Sequence, residues 1–163
     1  MRATQNVTAF ENNEKPSIDL LDRHLASAID LQLRLRSALW NMEDPRLAET
    51  RELGTKASEI EQFCNLIAER LRALSAVAQA TPQRVQVRSF LDPYPPAAAG
   101  DEDYISAIER ALAKLRHSAR QAGERAAAFC DETTAALFAR LASAIDRQIW
   151  FLRSPSSERG ERG

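Results

Sequence analysis

QATPQRVQVRSFLDPYPPAAAG, residues 79–100, is the stretch on which the fold turns. Prolines at 82, 93, 95 and 96 forbid one continuous helix through it, because each lacks an N–H and restrains the residue before it. The part from Pro82 to Leu91 can still hold one short helix, packed through Val85, Val87 and Phe90. Fully extended, the stretch reaches about 70 Å, about twice the length of the bundle. It can therefore carry the chain back along a bundle, so that the helices on either side of it can run parallel. A bundle in which 79–100 is simply disordered is the competing topology.

Upstream, Pro16-Ser17 opens a helix with Ser17 as N-cap. Leu21, Leu25, Ala28, Ile29, Gln32, Leu35, Arg36 and Leu39 recur at three- and four-residue steps and predict an amphipathic helix to Asn41, roughly 36 Å long. Asp44-Pro45 then supplies an N-cap and a proline at the first helical position. A second helix is expected from there to Val77, on Leu47, Leu53, Ile60, Phe63, Ile67, Leu71 and Leu74. The short connection makes these two helices antiparallel neighbours. Downstream, Tyr104, Ile105, Ile108, Leu112 and Leu115 mark a third helix from Asp101. A fourth begins near Asp131 on Leu137, Phe138, Leu141, Ile145, Ile149 and Leu152. Four long amphipathic helices with one long crossover form the ferritin-like version of the four-helix bundle. The expected organisation is a flexible tail over 1–16, an all-α bundle over 17–153 and a second flexible tail over 154–163.

Composition agrees with one ordinary domain. The chain has 163 residues, 44% of them apolar, and only 5 glycines, which suits a helical core rather than hairpins. Arginines number 19 against 3 lysines. No apolar run approaches the roughly 20 residues needed to span a bilayer, and Met1 to Lys15 lacks the pattern of a secretory signal, so a cytoplasmic protein without membrane contact is expected. A net charge of −1 gives no global attraction for nucleic acid. Cys64 and Cys130 fit neither a zinc site nor a CxxC pair; both read as reduced, packed thiols. His24 reads as a surface or interface side chain, and so does His117.

Four segments in order carry a family resemblance. Leu20–Leu31 (LLDRHLASAIDL), Leu39-Trp40-Asn41 followed by Asn65–Arg70 (NLIAER), Leu91–Pro95 (LDPYP) and Ile145–Leu152 (IDRQIWFL) resemble the Dps proteins, the mini-ferritins named as DNA-binding proteins from starved cells. The likeness runs from about Leu20 to Leu152. It departs at the bend into the crossover, where Dps glycines are replaced by Ser75-Ala76 and Ala80, and the loop between the first two helices is one residue shorter.

The resemblance implies a ferroxidase centre between two subunits, with one giving two histidines and an aspartate and its mate an Asp-x-x-x-Glu pair. Carried over, the first histidine falls on Leu39. The second falls on Thr50, or on Arg51 if the loop is read differently, and the aspartate on Gly54 or Thr55. The Asp-x-x-x-Glu pair becomes Asn65 and Glu69. Ferrous iron wants imidazole nitrogens and carboxylates, and only Glu69 keeps a ligand-type side chain. This argues against catalysis at the usual place; no catalytic residue is assigned, and iron is the cofactor or cargo that the resemblance leaves open. Trp40 is left with a packing role, and Trp150-Phe151 with one at a subunit contact or the bundle end. Asp131 and Glu132 are candidates for lining a three-fold pore, although helix capping alone explains them.

The expected partner is the chain itself, as a homo-oligomer of twelve by the resemblance. DNA is weakly supported, since Arg2 and Lys15 are balanced by Glu11 and Glu14, and the arginines after Leu152 are nearly balanced too. Three functions follow: a Dps-like shell subunit for stress protection, sequestration or scaffolding that has lost its ferroxidase ligands; an active iron-oxidising mini-ferritin with a relocated site; or a small helical interaction module.

Overall fold

The computed structural model describes residues 3–95 and 100–153, with backbone only for 3–15 and for Glu49 and Thr50. Six helices follow in order: α1 (Ala3–Asn41), α2 (Pro45–Thr50), α3 (Leu53–Ala73), α4 (Pro82–Arg88), α5 (Asp101–Ala128) and α6 (Glu132–Arg153). No strand occurs among the described residues. α5 packs on α6, α1 on α3 and on α5, and α4 lies on α1. The centre is built from side chains such as Leu21, Leu35, Ile67, Leu112, Phe138 and Ile145, none with measurable exposure. This is the expected four-helix bundle with a crossover helix.

The crossover follows α1 step by step. Arg84 and Arg88 reach Asp22 at 2.7 and 2.8 Å, and the Phe90 N–H donates to Ser27 Oγ at 3.1 Å. The Ser89 hydroxyl donates to Asp30 at 2.7 Å, and the Tyr94 hydroxyl to the Arg34 carbonyl at 3.4 Å. At the far end Asp101 accepts from the N–H groups of Glu43 and Asp44 at 2.9 and 3.0 Å. α5 thus starts at the end of the bundle where α1 stops and α3 begins, so α3 and α5 run in the same direction. Val85 is buried and Phe90 partly so, but Val87 is 77% exposed, contrary to expectation. A one-sided helix of two turns cannot turn both Val85 and Val87 inward.

Other differences are local. The helical backbone of α1 starts at Ala3, and Pro16 and the buried Ser17 lie inside it, so Ser17 is no N-cap and the expected N-terminal tail carries helix. A proline removes one donor but does not prevent helix on either side of it, and the preceding residues include no glycine. The second tail, 154–163, lies outside the described residues. On α1 the core takes Leu31 and Ala38 rather than Arg36, which is exposed; Leu21, Ala28 and Leu35 are the seam common to both patterns. The second helix is broken at Arg51-Glu52, where Glu52 has φ 53°, and it ends at Ala73.

Candidate metal centre

Leu39, Trp40 and Asn41 close α1. Leu39 is half-buried against the core, whereas Trp40 is 76% exposed. Asn41 Nδ2 donates back to the Ser37 carbonyl at 2.7 Å. Asp44 caps α2 as expected, accepting from the Arg46 N–H at 2.9 Å. Thr50 ends α2, its side chain outside the described ones. Arg51, the alternative second-histidine position, is half-buried and donates to the Leu152 carbonyl. Gly54 and Thr55 stand exposed in the first turn of α3, and a Cβ added at Gly54 would meet no atom within 4 Å.

Asn65 and Glu69 are both exposed on α3. Four residues apart, they share one helical face. Glu69 borders a mostly apolar groove of about 660 Å³ between α3 and α6, together with Arg70, Glu132, Leu137 and Arg140. Arg70 is engaged by Asp131, which leaves Arg140 beside the two carboxylates of Glu69 and Glu132. Among the described residues no three His, Cys, Asp or Glu side chains come together. An amide, an aliphatic side chain and a bare glycine supply no anionic donor, so the set Leu39, Gly54, Asn65 and Glu69 does not fit ferrous iron as substrate.

The two acids at the start of α6 differ. Asp131 accepts from the Thr134 N–H at 3.1 Å as N-cap and from Arg70 Nη2 at 2.8 Å. Arg70 Nε completes the set by donating to Thr134 Oγ1 at 2.9 Å. Burial raises the Asp131 pKa, but the hydrogen bonds from Thr134 and the charge of Arg70 outweigh it and hold the carboxyl below its ordinary value. Asp131 is therefore tied into the α3–α6 contact, while Glu132 is exposed on the groove.

Two expectations fail. His24 is not at the surface: it is 2% exposed, with its ring edge-on to Phe90 at 5.1 Å and to Phe138 at 4.6 Å. Its Nδ1–H donates to the Leu20 carbonyl at 2.7 Å. Burial pushes its pKa down to about 4, against the opposing pull of the Leu20 and Ser118 carbonyls. The crossover is the reason, since it lays Phe90 over a face of α1 that would otherwise meet solvent. Cys130 is not packed: it sits exposed in the turn after α5 at φ 61°. Cys64 is buried as expected, and burial pushes its thiol up to about 12. His117 is exposed, as expected.

The sequence reading missed Lys56, which is 2% exposed with its ammonium 5.7 Å from the centroid of the Phe151 ring. Burial lowers its pKa, against the charges of Glu52 and Glu59. The signal was available, because Lys56 falls in the register of Leu53, Ile60, Phe63 and Ile67. Trp150 packs edge-on against Phe151 at 5.0 Å at the end of α6 and remains 61% exposed.

Comparison with known proteins agrees with this architecture. The chain is 28% identical over 149 residues to the DNA protection during starvation protein of Agrobacterium fabrum, covering 91% of this chain and 92% of that one. The chain is similar to that Dps protein along nearly its whole length. Its fold superimposes on the X-ray structure of Dps from Thermosynechococcus elongatus with a TM-score of 0.81 at 21% identity, over 88% of this chain and 92% of that one. DpsC from Streptomyces coelicolor gives a TM-score of 0.81 at 20% identity, over 86% and 83%. No family model matches the chain.

Proposed function

We propose that this Dps-family mini-ferritin subunit assembles as a shell of twelve copies, has lost inter-subunit ferroxidase chemistry, and serves in the cytoplasm for sequestration, protection or scaffolding. The observation that carries the reading is the exposed α3 face, where Asn65 and Glu69 present one carboxylate instead of two. Arg140 lines the groove beside it, next to Glu69 and Glu132. Trp40, Leu33 and Trp150 are large apolar side chains left exposed on the single chain, as subunits of an assembly have them. No helix among the described residues is long and apolar enough to cross a membrane.

Light scattering on the eluted protein tests assembly: a mass near twelve copies supports the shell, and a monomer or dimer points to a small interaction module. Ferrous loading under oxygen or peroxide, followed by absorbance of the ferric product, tests the chemistry. Slow oxidation, unchanged by Glu69→Ala, supports the reading; rapid oxidation abolished by Glu69→Ala overturns it.

DNA contact is a second reading, favoured by the name of the Agrobacterium relative. With a net charge of −1 on the chain, it would rest on arginines repeated over an assembled shell, where weak contacts multiply. A gel shift at low salt that is lost at moderate salt supports it, and no shift at low salt contradicts it.

A further inference from the structure

The crossover from Pro82 to Leu91 lies on α1 and is fixed there mainly by polar groups. Arg84 and Arg88 share the Asp22 carboxylate at 2.7 and 2.8 Å, and Arg88 also meets Asp19. The Ser89 hydroxyl donates to Asp30 at 2.7 Å. Val85 is the one buried side chain of the segment, while Val87 stands exposed. The chain has no helix on either side of α4, over 76–81 and 89–95. A short segment with little apolar burial and irregular flanks has the build of a unit that opens separately from the rest.

His24 makes this attachment sensitive to acid. Its buried ring supports Phe90 edge-on at 5.1 Å. Nδ1 is engaged with the Leu20 carbonyl at 2.7 Å, and Nε2 is buried without a hydrogen-bond partner. Phe90 faces the ring from the crossover and Phe138 from α6. From α5 comes the Ser118 carbonyl, with Glu124 and Arg125 exposed along the same side. On α1 the charge that acts on the ring is Arg23, which also rests 5.8 Å from the centroid of Phe90. The two carbonyls favour a proton on His24, but burial and Arg23 oppose it, and burial dominates. A protonated ring therefore needs water, and Phe90 keeps water away from it. Acid acts on the ion pairs in the same direction, because protonated Asp19 and Asp22 no longer attract Arg84 and Arg88 by charge.

We propose that the crossover from Pro82 to Leu91 is an acid-released strap, which lifts from α1 as a unit and lets water reach His24 while the long helices stay packed. Those helices keep their own contacts, α5 with α6 and α1 with both α3 and α5. Release opens the groove that Ile29 and Leu33 of α1 form with Val85 and Leu91. Every contact involved lies within one chain, so the strap does not depend on the shell reading.

Hydrogen exchange read by mass spectrometry on the full-length protein tests it, with rates normalised to those of an unstructured chain at each pH. Between about pH 7.5 and about pH 4.5, peptides over 82–91 should lose protection by at least ~10-fold, while those of α5 and α6 keep theirs. His24→Gln and His24→Asn cannot take the proton. Each should keep the strap protected at about pH 7.5 and show an acid-dependent loss at least ~3-fold smaller than wild type. Protection over 82–91 that persists at about pH 4.5, or that disappears in step with α5 and α6, overturns the proposal. A loss of wild-type size in either variant overturns it too. So does a strap already unprotected at about pH 7.5 in both variants, which would make His24 a packing residue alone.

Discussion

His24 is the residue whose environment departs furthest from its sequence appearance. A lone histidine three residues past Leu21 reads as surface because nothing local covers it; Phe90, which does, comes from the far side of the crossover. Its burial has a measurable consequence. The folded pKa of about 4 lies below the unfolded value near 6.5, so between these limits the unfolded chain binds more protons. The His24 contribution to stability is therefore complete above about pH 6.5 and is lost as pH falls towards about 4. The difference corresponds to roughly 3 kcal/mol. Urea unfolding at about pH 7.5 and pH 4.5 should show wild type losing roughly 2–3 kcal/mol more than His24→Gln. Equal losses in the two proteins would contradict a neutral, buried imidazole. Lys56 teaches the complementary lesson: its register was visible, but a lysine on an apolar stripe becomes interpretable only when Phe151, at the other end of the chain, closes over it.

At the scale of elements, periodicity gave the four long helices and the crossover helix, because each buries one continuous stripe. It did not give the break between α2 and α3, since that break rests on backbone torsion at Glu52 and not on any composition signal. The bend after α3 was legible, because replacing glycine there forces another residue to take positive φ. Ser75 does so at φ 59°, with the Ala76 N–H on the Leu71 carbonyl and the Ser75 N–H on that of Arg72. Cys130 repeats the arrangement after α5, with the Asp131 N–H on the Ala126 carbonyl. Both are Schellman endings in which an L side chain carries a left-handed conformation costing about 1 kcal/mol. Ser75→Gly and Cys130→Gly should each raise stability by about that amount, less the entropy that glycine adds to the unfolded chain, as read by denaturant midpoints. The crossover depends on Asp22, whose buried carboxylate holds Arg84 and Arg88. Asp22→Ala leaves the partly exposed Arg84 guanidinium without its carboxylate and Arg88 with Asp19 alone, and should cost roughly 1–3 kcal/mol, with hydrogen exchange rising first in α4.

For the whole molecule, the bundle brings Asn65, Glu69 and Glu132 to one face but leaves Leu39 and Gly54 without ligand chemistry. The proposed loss of ligands is read from residue type and from the family resemblance, at Leu39, Gly54 and Asn65. The electrostatics of the candidate site were not legible there, because the pairing of Arg70 with Asp131 joins residues from two helices. If the framework is intact and only donors are missing, restoring them should restore activity. The combination Leu39→His, Thr50→His, Gly54→Asp and Asn65→Asp should oxidise ferrous iron at least ~10-fold faster than wild type. Gly54 has room for the added side chain. A variant no faster than wild type would mean that the framework itself has drifted.

The most direct measurement is anomalous diffraction at the iron edge from crystals of the native protein soaked in ferrous salt without oxygen. We expect no ordered iron on the α3 face by Glu69 or beside Trp40. A strong, well-ordered iron peak held there between two subunits would contradict the loss of the metal centre.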